Sequence, residues 1–82
     1  MTELLLNQLG SKIREIRKTK KMTQDDLAIK CNFEKGNLSR IETGQTNLTM
    51  RSLLKISQAL EVPISALFVE KEALHYNSET QQ

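Results

Sequence analysis

Leu6, Leu9, Ile13 and Ile16 recur at intervals of three and four, with Arg14, Arg17 and Lys18 between them. That spacing gathers the apolar side chains on one stripe of a helix and predicts a first helix over about Leu4 to Thr19. Gly10 weakens it by roughly 1 kcal/mol relative to alanine, and it permits a second helix to pack closely. Lys18, Lys20 and Lys21 end it, because cations suit the negative terminus of a helix. A second periodic stretch ends at Cys31, and a third carries Leu38 and Ile41 on one face. Leu53, Ile56 and Leu60, with Met50 and Ser57, predict a fourth helix over Met50 to Leu60 with one buried stripe. Pro63 prevents continuation, and Ile64, Leu67 and Phe68 supply a short fifth helix that closes the core.

The stretch from Met22 to Glu42 reads as two short helices joined by a tight turn, the pattern of a helix-turn-helix. Thr23 can cap the first of them, Asp25 and Asp26 place negative charge against its positive end, and Met22 can staple onto Leu27. Ala28 is small where the second helix must cross. Asn32 is one of the few non-glycine types that tolerates a left-handed backbone, so a turn there is cheap. Leu38 and Ile41 can then pack against Leu27, Cys31 and Phe33. The second helix is expected to begin at about Lys35, with Glu34 as an atypical cap. Beyond it, Thr43 to Asn47 is a polar loop in which Gly44 supplies the left-handed residue that stops the helix. Thr49 caps the fourth helix, with Leu48 stapled onto Leu53.

Eighty-two residues, 38% apolar and 27% charged, make one small globular domain. We assign it to residues 1–76, with Val69 to His75 extending the fifth helix and 77–82, which lack apolar residues, as a disordered tail. Aromatic residues are only 4% of the chain, so the core is aliphatic and the fold class all-α. The single cysteine, Cys31, excludes an intramolecular disulfide and reads as a packed core thiol. With no signal peptide and no apolar run of membrane-spanning length, a reducing cytoplasm is the expected home. Net charge is only +2 but uneven. Lys12, Arg14, Arg17, Lys18, Lys20 and Lys21 face only Glu3 and Glu15 in the first 21 residues, whereas the last 22 carry Lys71 against Glu61, Glu70, Glu72 and Glu79. Such a basic end either solvates a helix surface or faces phosphate.

No catalytic site is expected: one histidine, His75, one cysteine, and neither a Gly-rich phosphate loop nor clustered carboxylates leave no nucleophile, base and orienter together. No second Cys or His stands at ligand spacing, so no metal, cofactor or small-molecule substrate is expected either.

TQDDLAIKCNFEKGNLSRIETG, with its opening Thr-Gln, its Leu-Ala and its Leu-Ser-x-Ile-Glu-x-Gly ending in register, resembles the helix-turn-helix of the lambda-repressor and Cro-like (Xre) family of bacterial DNA-binding proteins. The resemblance runs over about Leu6 to Phe68. It implies a compact five-helix DNA-binding domain, dimeric on a palindromic operator in double-stranded DNA. Size and layout are also similar to the small controller proteins of restriction-modification systems. The same resemblance pairs the position of Glu42 with that of Arg17, implying a structural ion pair between them.

A helix fits the major groove, where each base pair shows its own donor and acceptor pattern, and a helix-turn-helix offers its second helix there. Arg40 can donate two bonds to guanine O6 and N7 and is the first base-reading candidate; Lys35 is the second, reaching guanine or phosphate. Gly36 either reduces specificity or lets the backbone approach DNA. Asn37 can bond adenine or phosphate, and Ser39 can join it on the backbone, or both face water. Gln24, opening the first helix of the motif, can present its amide and nearby N–H groups to a phosphate, and Thr43, Gln45 and Asn47 can bond the backbone beyond the recognition helix. Ile64, Leu67, Phe68 and Val69, with Leu74 and Tyr76, either form the dimer contact or finish the monomer core. The competing reading is a protein-interaction module, antitoxin- or adaptor-like, with weak DNA binding.

Overall fold

The computed structural model describes residues 2–34 and 36–68. The assignments on Lys35, Val69, Leu74, His75, Tyr76 and the 77–82 tail lie outside them. Four α-helices, α1 (Thr2–Thr19), α2 (Gln24–Cys31), α3 (Asn37–Glu42) and α4 (Met50–Leu60), are followed by a 3-10 helix at Ile64–Phe68. The described residues are thus all-helical. The fifth element, expected as a short helix, is a 3-10 helix of five residues that follows Pro63.

The starts of α2 and α4 follow from their caps. Thr23 and Asp26 form a capping box at α2: the Thr23 hydroxyl accepts from Asp26 N–H at 3.0 Å and the Asp26 carboxylate accepts from Thr23 N–H at 3.0 Å. Thr49 accepts from Ser52 N–H at α4. Asn32 (φ 59°) and Glu61 (φ 59°) end α2 and α4 in the left-handed region, and Gly44 (φ 76°) does so just past α3.

Leu9 and Ile13 of α1, Leu27, Ala28 and Cys31 of α2, Leu38 and Ile41 of α3, Leu53, Ile56 and Leu60 of α4, and Leu67 form one core. Burial pushes the Cys31 thiol up, only partly opposed by the Lys55 cation, so it remains a protonated packing group. Gly10 sits where α1 crosses α3: a Cβ there would lie 2.6 Å from the Glu42 carbonyl oxygen. Close approach of the two backbones requires the glycine.

Three expectations are corrected. Met50 leaves the buried stripe of α4 and is 63% exposed, because as the first helical residue it lies at the rim of the core. Leu67, offered for a dimer contact or for the monomer core, is 1% exposed and belongs to the core rather than the contact, with Ile64 packed partly against that core. The helix predicted from Lys35 begins instead at Asn37, and Glu34 is not its cap. Gly36, at φ 89°, occupies the cap position with no side chain to serve it, and Glu34 contributes only its backbone carbonyl, which accepts from Asn37 N–H.

Candidate nucleic-acid interface

Helix α3 has six residues, too few to hold itself together in water, so its orientation is set by what it packs against. Leu38 and Ile41 are buried in the core and fix its inner face. Ser39 and Arg40 are exposed, Gly36 just before the helix is exposed, and Asn37 is half-buried. The sequence-predicted outer face of α3 is therefore the solvent face. The ion pairs found among the described residues, Lys12 with Glu15 and Arg17 with Glu42, leave the Arg40 guanidinium unclaimed.

The far end of α3 is locked by a polar cluster. Glu42 is 5% exposed and Arg17 7%. Arg17 Nε donates to Glu42 Oε2 at 2.7 Å and Arg17 Nη2 to Glu42 Oε1 at 3.1 Å, a two-pronged pair well inside the 4 Å reach of an ion pair. Arg17 Nη1 also donates to the Met22 carbonyl at 2.7 Å. Gln24 Nε2 donates to Glu42 Oε1 at 3.0 Å. One carboxylate thus joins α1, α2 and α3, and no buried side-chain polar atom among the described residues lacks a partner. The Gln24 contact and the Arg17 bond to Met22 were not legible from the chain: 18 residues separate Gln24 from Glu42, and only the crossing of α2 over α3 brings them together.

The remaining polar candidates divide. Thr43 Oγ1 donates back to the Ser39 carbonyl at 2.9 Å and to that of Arg40 at 3.2 Å, and Thr43 N–H donates to Ser39 as well, so both its donors serve its own helix end. Gln45 and Asn47 are exposed. With Gly44 and Thr46 they line one wall of an open cleft whose other wall is Glu3, Leu6 and Asn7 of α1. Asn7 stands so close to Gly44 that a Cβ at position 44 would lie 3.0 Å from the Asn7 Cα, a contact the sequence did not signal.

Two short helices joined through a left-handed asparagine, with the second pinned by its apolar face and by a buried carboxylate, make this a helix-turn-helix protein. The chain belongs to the HTH_3 helix-turn-helix family, whose pattern matches residues 13–67. It is 38% identical over 63 residues to the control protein C.BamHI of Bacillus amyloliquefaciens, covering 76% of this chain and 78% of that one. It is 32% identical over 79 residues to the immunity repressor of Bacillus phage phi105, covering 90% of this chain but only 55% of the length of that relative. Among solved structures, the restriction-modification controller protein C.Esp1396I, as a tetramer in complex with its natural 35 base-pair operator, superposes with a TM-score of 0.72 at 42% identity, covering 78% of this chain and 84% of that one. Among the described residues no helix is long and apolar enough to cross a membrane.

Proposed function

We propose that this protein is a sequence-specific DNA-binding transcriptional regulator that reads an operator in the major groove with the outward face of α3, as a homodimer. The observation that carries the reading is the two-sidedness of α3: Leu38 and Ile41 are sealed in the core while Arg40 projects into solvent with no ion-pair partner among the described residues. Arg40 and Lys35 are assigned to base edges, with Gly36 and Asn37 beside them. Gln24, Ser39, Gln45 and Asn47 are assigned to backbone phosphates, which fix register without reading sequence. Thr43 joins that set only by its hydroxyl turning away from its own helix. Family membership and the operator complex of C.Esp1396I support the reading.

Two half-sites give a specificity that one six-residue helix lacks, and half-sites one helical turn, roughly 34 Å, apart call for two copies. Phe68 (47% exposed), with Leu54 (44%) and Met50 on α4, is among the exposed apolar side chains, which also include Leu4, Leu5 and Ile29, and we assign these three to that contact: Phe68, Leu54 and Met50.

Titration of the protein with DNA at rising salt tests the reading. A regulator of this kind loses affinity steeply and linearly on logarithmic axes while protecting a defined sequence from cleavage. A protein-only adaptor would show neither.

A further inference from the structure

Glu42 carries three hydrogen bonds, more than an ion pair with Arg17 requires. Its Oε2 is taken by Arg17 Nε, while its Oε1 accepts both from Arg17 Nη2 and from Gln24 Nε2. An ionised carboxylate has no hydrogen to give, so a glutamine amide facing it has only one workable orientation, with one Nε2 hydrogen on Glu42 and the second left as the donor for a phosphate oxygen. We propose that Glu42 is a positioning residue for DNA binding: by accepting from Gln24 Nε2 it fixes the amide of the phosphate-anchoring side chain before DNA arrives. This rests on the phosphate role assigned to Gln24 above.

The chemistry explains why a carboxylate stands at position 42. Arg17 alone would be bound as well by other acceptors, and a carboxylate beside DNA is unfavourable unless neutralised. Here Arg17 neutralises it at 2.7 Å, leaving an acceptor of full strength for the amide without a net negative charge toward phosphate. A glutamine at 42 is nearly isosteric but brings its own NH₂. Its single carbonyl oxygen then has to serve both Arg17 and Gln24, or its NH₂ has to face one of those donors. In the first case the Gln24 amide shares a weaker, uncharged acceptor and in the second it faces a donor, so either way it is held less firmly than by the carboxylate. Because α1, α2 and α3 meet at this carboxylate, the phosphate anchor and the recognition helix also share one register.

The test neutralises operator phosphates one at a time with methylphosphonate and measures affinity for wild type, Gln24→Ala and Glu42→Gln. In the wild type, one phosphate per half-site is expected to weaken binding about ten-fold on neutralisation, the size of one hydrogen bond to a charged group. Gln24→Ala and Glu42→Gln are both expected to be insensitive, within two-fold, at that same phosphate. The double variant Gln24→Ala/Glu42→Gln is expected to bind no more weakly than Glu42→Gln alone. Gln24→Ala leaves the Arg17 pair intact and keeps the test usable if Glu42→Gln melts too low, in which case Glu42→Asp, which shortens the reach to Gln24, replaces it and is expected to lose the same sensitivity. The proposal is overturned if the position-42 variant, folded by its melting temperature, keeps wild-type sensitivity at the phosphate that Gln24→Ala has lost. It is overturned equally if Gln24→Ala loses sensitivity at no phosphate. Failure of the wild type to select any DNA sequence would instead overturn the regulator reading itself.

Discussion

At position 26 a fully exposed carboxylate accepts the Thr23 backbone N–H, and the Thr23 hydroxyl bonds its own N–H in return. The backbone bond first, then the bond with the Thr23 side chain, hold Asp26 below its ordinary value of 3.8, with Lys30 helping slightly. A carboxyl depressed on folding stabilises the protein above its ordinary value and loses that contribution as pH falls through the depressed one. Asp26→Asn is therefore expected to lower the melting temperature near neutral pH, with the gap to wild type closing in a pH series taken below about 4. A gap that persists unchanged at low pH would show that the carboxylate charge is irrelevant to the cap. The Thr23–Asp26 box illustrates what is legible at this scale: a cap and its return bond lie three residues apart, within the range that local sequence governs. The Gln24 bond to Glu42 is not of that kind.

Among the elements, α2 and α4 announce themselves because caps, apolar period and stop residues agree, and α1 by its apolar period and the lysines at its end. The start of α3 does not. Local pattern extends it back to Lys35, yet Gly36 at φ 89° interrupts the helical backbone, and a glycine's tolerance of that conformation cannot be told in advance from its tolerance of a helical one. The glycines at 10 and 36 consequently make opposite demands. At Gly36 an added Cβ meets nothing within 4 Å, so Gly36→Ala carries only left-handed strain, about 1 kcal/mol. At Gly10 the same methyl would press on the backbone carbonyls of Ile41 and Glu42, which cannot turn aside without moving α3. Gly10→Ala is expected to cost about 2 to 3 kcal/mol despite the better helix propensity of alanine, a fall in melting temperature clearly larger than that of Gly36→Ala. Thermal unfolding of the two variants side by side checks the order. It also bears on DNA, since Gly10→Ala shifts the reading helix while Gly36→Ala alters only its approach.

For the whole molecule, the apolar residues that close the monomer and those left over are now separable. Leu67 is spent on the core, whereas Leu54 and Phe68 remain about half exposed. Sedimentation at micromolar concentration is expected to show a dimer that Leu54→Glu or Phe68→Glu reduces to monomer with helicity retained, and a wild type that is monomeric with and without DNA would remove the dimer from the proposal. The assembly matters because α3 is short and carries a single arginine, without an ion-pair partner among the described residues, so in the proposed reading sequence selectivity comes from two copies on two half-sites. The most direct measurement is selection of bound sequences from a random DNA pool by wild type and by Arg40→Ala in parallel. The expected result is a two-fold symmetric site for the wild type and, for the variant, relaxed preference at one or two base pairs in each half-site, about 1 to 3 kcal/mol at each. An Arg40→Ala profile identical to that of the wild type would contradict the assignment of the outer face of α3 to base reading.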